Sequence, residues 1–231
     1  MGLISIVIDV NGAQDIPQLA AAVLRCVSYF IGVGKSFPWK FRVFDSQHVF
    51  IGNDFKSIFA QMTIDSFETV LSKLEAANAT HQASPRDLES QIQFWKASTY
   101  RILEDLLEVQ GHVPESKDDI GNYMVYFSSL LSGSLSFPIK DGTATTEPQK
   151  TTRTTLFNSL ATHLFSSQVQ REIQENAVKF LWINTAASSL DEKVAADIFS
   201  IMEPFSGSFA PLSLLANRTF HPKNSSNWFS L

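Results

Sequence analysis

The sequence predicts an α/β fold, a doubly wound and mostly parallel sheet flanked by helices. Three observations carry this. Residues 3–10 are almost unbroken Ile and Val, the pattern of a strand buried on both faces at the centre of a parallel sheet. A strand, a helix and a second strand are complete by Phe44, which makes a βαβ unit with a right-handed crossover. Beyond it, apolar runs keep alternating with segments of helical period, and no internal repeat interrupts them.

The elements follow in order. The first strand ends in Asp9-Val10-Asn11-Gly12, a turn signal. Asp15 with Gln18 three residues on reads as a capping box. The helix it opens carries Ile16, Leu19, Ala20, Val23, Leu24, Val27 and Ile31 on one face, and Gly32 and Gly34 end it. Residues 39–44 alternate apolar side chains with Lys40 and Arg42, which predicts a strand half exposed or near an edge. Residues 48–51 suit a short strand pairing back after a turn. Residues 66–77 are expected to be helical and 78–84 a loop. Pro85 suits the first turn of a long helix through Gln110, with Leu88, Ile92, Trp95, Ile102, Leu103, Leu106 and Leu107 on its packing side. Residues 123–127 read as a third central strand. The Thr-rich stretch 142–155 reads as a mobile surface loop. A helix over 156–176, a strand over 178–183, a helix over 190–202 and a last strand over 208–215 complete the pattern. Residues 1–216 form one domain on this reading, and 217–231 a polar tail or linker.

A chain of 231 residues is long enough for one α/β domain with a full core. Its 18 Lys and Arg against 23 Asp and Glu give a net charge of −5, which excludes a nucleic-acid binder acting through bulk positive charge. Charged residues are 18% of the chain and Phe alone numbers 19, more apolar character than one core needs, which points to a partner-facing surface. The single cysteine, Cys26, excludes an internal disulfide framework or a Cys-based zinc cluster. Its apolar helical setting predicts a buried, inert thiol. No apolar run is long enough to span a bilayer, and the start lacks a basic leader with a cleavage site. The chain reads as intracellular.

The chemical motifs fail one by one. Gly32-Val33-Gly34-Lys35-Ser36 has Tyr29 where a phosphate loop needs its first glycine, and it follows a helix instead of a strand. No Gly-x-Gly-x-x-Gly follows the first strand, and neither Ser132-Gly133-Ser134 nor Ser206-Gly207-Ser208 has the spacing of a nucleophile elbow. The five histidines are scattered, with His163 at a surface or boundary position. Glu104, Asp105 and Glu108 have the spacing of a solvated helix face, and Glu115 with Asp118 and Asp119 that of a polar loop. No second element turns either group into a catalytic dyad. Neither a catalytic residue nor a cofactor is expected.

One constellation remains, at the carboxyl end of the first strand, where open α/β sheets bind ligands. A von Willebrand A domain carries Asp-x-Ser-x-Ser there to hold Mg²⁺. This chain has Asp9, Asn11 and Ala13. Ala13 offers no oxygen, and magnesium prefers several hard ligands in octahedral array. Asp9 and Asn11 therefore mark a degenerate metal position, and the segment reads as a turn into a capped helix.

The stretch Trp39-Lys40-Phe41-Arg42-Val43-Phe44-Asp45-Ser46-Gln47 resembles an aromatic-basic strand in the N-terminal region of the Treslin family of replication-initiation proteins, which ends in Phe-Asp-Ser-Gln. Lys179-Phe180-Leu181-Trp182-Ile183-Asn184-Thr185 is similar to that family's strand ending in Trp-Val-Asp-Thr, with Asn184 replacing the acidic residue. Residues 198–212, with Pro204, Gly207 and Ser208, are similar to its helix, glycine turn and short strand. The Thr-rich stretch is shorter than its counterpart. The resemblance implies a von Willebrand A-like module with a degenerate metal site, at the start of a large nuclear scaffold. It implies a non-catalytic role in origin firing, with an MTBP-like protein as partner and other origin-firing factors reached through regions outside this chain. Direct nucleic-acid binding and membrane contact are not expected. Candidate partner-facing aromatics are Phe37, Trp39, Phe50 and Phe55 around the second strand, and Trp228 and Phe229 in the tail. The first four equally suit completion of the core. The competing reading is a metal-dependent von Willebrand A ligand-binding domain of a repair or transcription complex.

Overall fold

A computed structural model describes residues 3–10, 13, 15–32, 38–44, 49–51, 60–61, 68–72, 74, 76, 88–109, 122–129, 146–186 and 192–217. Seven strands form one sheet among them: β1 (Ile4–Asp9), β2 (Pro38–Phe44), β3 (Val49–Ile51), β4 (Ala60–Gln61), β5 (Asn122–Ser128), β6 (Val178–Asn184) and β7 (Ser208–Pro211). The order is β3-β2-β1-β5-β6-β7, with β4 also pairing with β2. Strands β2, β1, β5, β6 and β7 are mutually parallel, while β3 and β4 run antiparallel to β2. From β1 the chain winds outward to β2, and from β5 it winds the other way to β7. The reversal lies between β1 and β5, so the sheet is doubly wound, as expected for a von Willebrand A-like α/β domain.

The helices with described bounds are α1 (Ile16–Gly32), α2 (Leu88–Val109), α3 (Thr146–Thr162), α4 (Ser167–Glu175), α5 (Glu192–Met202) and α6 (Leu212–Asn217). Residues 68–72 are also helical. All six residues of β1 are buried, as its Ile/Val run requires. Ile4, Ile6 and Ile8 point to one core, shared with Leu19 and Val23 of α1, Val70 and Leu212. Val7 points to the other, shared with Trp95 of α2, Leu160 of α3, Ile173 of α4 and Ile198 of α5. Within that second core the Phe165 ring lies 5.2 Å from Phe180 and 5.1 Å from Phe205. At the amino ends of the strands Asn122 ties three segments together: its Oδ1 accepts from Leu3 N at 3.0 Å and its Nδ2 donates to Asn176 O at 3.0 Å. The predicted cap of α1 is present, with Gln18 N donating to Asp15 Oδ1 at 2.9 Å.

Several expectations are corrected. Lys40 and Arg42 are not half exposed but sealed, because β3 and β4 extend the sheet beyond β2 and Asp105 on α2 meets both cations. Trp39, proposed as partner-facing, is 2% exposed and its ring centroid sits 4.1 Å from that of Phe41. Residues 146–155 are not a loop but the start of α3; Leu156 and Leu160, one turn apart, are both buried, and Pro148 is tolerated in the first turn. The helix expected over 156–176 is broken, because Ser166 caps a new helix through its side chain, accepting from Val169 N. Strand β7 stops at Pro211 and α6 takes over. Leu107, expected on the packing side of α2, is 54% exposed. Asn11, Phe37, Phe55, Trp228 and Phe229 lie outside the described residues, as does the tail from 218 on. Phe50 lies opposite Val43 in the β2–β3 pairing, and its side chain is also outside them.

Candidate functional site

The switch point between β1 and β5 is the expected ligand position, and Asp9 stands there at the last residue of β1. Parity puts Asp9 on the same face as Ser5 and Val7. Ser128, the last residue of β5, lies on that face beside it. Ser128 Oγ donates to Asp9 Oδ2 at 2.8 Å, and both residues are fully buried. The Ser128 carbonyl accepts twice from the β6 side, from Trp182 Nε1 at 3.1 Å and Thr185 N at 3.2 Å. Ser128 thus joins the carboxyl ends of β1, β5 and β6. Next to it Asn184 Oδ1 accepts from Ala186 N at 3.2 Å, closing an Asx turn after β6. The Thr185 hydroxyl is buried and makes no hydrogen bond.

Among the described residues, the side chains at this switch point do not make a ligand set for a divalent cation. Ala13 is packed into the α1-side core and has no side-chain oxygen. The Asp9 carboxylate is engaged by Ser128, and Asn184 Oδ1 by a backbone amide. No cluster of three His, Cys, Asp or Glu side chains is formed among the described residues. A magnesium site needs several hard oxygens turned toward one point.

A second polar constellation lies under α2. Asp105, expected on a solvated face, is fully buried between two cations of β2. Its Oδ1 is 2.6 Å from Lys40 Nζ and accepts from Arg42 Nη2 at 2.6 Å, while its Oδ2 accepts from Ser5 Oγ at 2.8 Å and from Arg42 Nε at 3.0 Å. Arg42 Nη2 also reaches Glu104 Oε2 at 3.3 Å, and Arg101 Nη1 donates to the same carboxylate at 3.0 Å. The network therefore runs from a sealed pair to the helix surface. Arg42 Nη1 is buried without an acceptor. The alternation of Lys40 and Arg42 was the one sequence signal for it, and it could be read as buried only by placing β2 inside the sheet.

Among the described residues two titratable groups are shifted. Burial pushes the Cys26 thiol up to about 12, which fits its expected inertness. His163 is lowered, first by desolvation and then by the Lys96 ammonium.

No family model matches the chain, and no curated protein matches it. Solved structures do. The chain is similar to a von Willebrand factor type A protein from Catenulispora acidiphila, at 12% identity and a TM-score of 0.44, over 93% of this chain and 40% of that one. It is similar to the TFIIH p34 N-terminal domain, at 11% identity and a TM-score of 0.48, over 99% and 95% of the two chains. It is also similar to the PilB minor pilin from Streptococcus sanguinis, at 8% identity and a TM-score of 0.46, over 94% and 59%. This chain thus spans less than half the length of the Catenulispora chain. These likenesses concern the fold.

Proposed function

We propose that this chain is a non-catalytic protein-interaction domain of a Treslin-like DNA-replication origin-firing factor. It acts in the nucleus as a scaffold and takes an MTBP-like protein as its partner. The observation that carries the non-catalytic reading is the engagement of Asp9 by Ser128. At the position where such sheets bind ligands, the acidic group is turned inward onto its own neighbour, and neither side chain is open to a substrate. Ala13 and the Asp9–Ser128 bond weigh against the metal-dependent alternative. The Phe44-Asp45-Ser46-Gln47 block and the aromatic stretch from Lys179 to Thr185 support the replication assignment. The net charge of −5 supports protein contacts over direct nucleic-acid contacts.

The test is a pull-down from nuclear extract with this domain as bait, read by mass spectrometry in EDTA and in Mg²⁺. Enrichment of an MTBP-like protein in both buffers is the expected result. Recovery of unrelated complexes only in Mg²⁺ overturns both the family assignment and the metal-free reading.

A further inference from the structure

The outer side of α2 carries an exposed stripe in which Gln93, Lys96, Tyr100, Glu104 and Leu107 follow one another at steps of three or four residues. Tyr100 is 72% exposed and Leu107 54%, the two most exposed large apolar side chains among the described residues. Read outward from Tyr100, the two charges of the stripe are complementary to their own reverse. Four residues before Tyr100 stands a cation, Lys96, and four after it an anion, Glu104. Seven before stands Gln93 and seven after Leu107.

We infer that α2 is the contact helix of a homodimer, pairing antiparallel with α2 of a second copy about a two-fold axis at Tyr100. About such an axis every residue meets its partner reciprocally, and in this stripe the pairing sets Lys96 of each copy against Glu104 of the other, a match in charge. The two Tyr100 rings meet on the axis. Lys96 faces Glu104 of the second copy, and the same pair recurs on the other side. Gln93 lies over Leu107 of the second copy at each end. Glu104 is already held in position by Arg42 and Arg101, so its carboxylate is oriented before the second copy arrives. The patch is small, so the dimer is weak and concentration-dependent.

Two measurements test this. Sedimentation velocity on the full chain, from micromolar to millimolar concentration, is expected to show a reversible monomer–dimer equilibrium. Lys96→Glu is expected to weaken the association tenfold or more. The Tyr100→Cys variant under mild oxidation is expected to form a disulfide-linked dimer, since the two-fold axis brings like residues together there. Gln93→Cys, on the same stripe but away from the axis, is expected to stay unlinked. Cys26 is buried, so the unmodified chain serves as the blank. A chain that stays monomeric at every concentration overturns the inference, and so does a dimer in which Gln93→Cys cross-links as fast as Tyr100→Cys.

Discussion

Lys40 Nζ and Asp105 Oδ1 stand 2.6 Å apart, with both side chains shut off from solvent. Removing one member of such a pair leaves the other charged and without its partner in the interior, which is far costlier than exchanging the whole group for apolar residues. Asp105 serves two cations and the Ser5 hydroxyl, so Asp105→Ala is the most damaging single change in this network. The expected loss is about 3–5 kcal/mol of unfolding free energy. Urea unfolding followed by Trp fluorescence checks it. A midpoint within experimental scatter of the parent would show that the charges find other partners.

Ser128→Ala takes away the donor to Asp9 and leaves the buried carboxylate short of one charge-assisted bond. About 1.5–3 kcal/mol should be lost. Millimolar MgCl₂ should neither restore this nor shift the melting temperature of the parent chain, because Ala13 contributes no ligand. Heat released on titrating Mg²⁺ into the parent would bring the metal-dependent reading back.

At Gly207 an added Cβ would fall 2.6 Å from Phe205 Cε2 and 2.8 Å from Met202 Cε. The Met202 methyl can swing aside, but the Phe205 ring is wedged against Phe165 and Phe180. Gly207→Ala is therefore expected to destabilise the domain by about 1–3 kcal/mol through overpacking. Calorimetry would show this as a lowered transition temperature. An unchanged transition would mean that the 3₁₀ turn at Glu203–Phe205 yields without cost.

His163 is held below its ordinary value by desolvation and, second, by Lys96. Lys96→Ala should raise its pKa part of the way back in an NMR titration, leaving the desolvation share in place. A lowered folded-state value means that the unfolded chain binds the proton more readily. The contribution of His163 to stability is thus complete above its unfolded value near 6.5 and declines as pH falls through the folded one. No movement of the His163 resonances on substitution would remove Lys96 as a cause.

The parts of the fold that were legible in the sequence are those set by periodicity. The run of Ile and Val in β1, the Asp15 cap and most of the apolar face of α1 follow from spacing, Leu24 at 42% exposure being the exception, and the alternation of strands with helices predicts a doubly wound sheet without giving its strand order. What was misread depends on neighbours distant in sequence. Lys40 and Arg42 have the pattern of an exposed strand until Asp105, more than sixty positions on, is seen to face them. The Thr-rich stretch lacks helical propensity of its own, and it is helical because the buried Leu156 and Leu160 anchor the same helix further along. At the switch point the sequence marks Asp9 and not Ser128, because a lone serine at a strand end carries no motif. Its position is what matters, since it ends the strand adjacent to β1.

The ionic peg beneath α2 also bears on how the chain finds its native alignment. In β2 the alternation of Trp39, Phe41 and Val43 with Lys40, Arg42 and Phe44 forbids a slip of one residue, which would turn every side chain to the wrong face. It does not forbid a slip of two. A two-residue slip would set Phe44 or a lone cation against the Asp105 carboxylate and break the paired contact with Lys40 and Arg42. The buried charges thus act as a proofreading mark. They penalise the misaligned sheet that hydrophobic patterning alone would accept, so correct strand alignment and the seating of α2 rest on the same contacts.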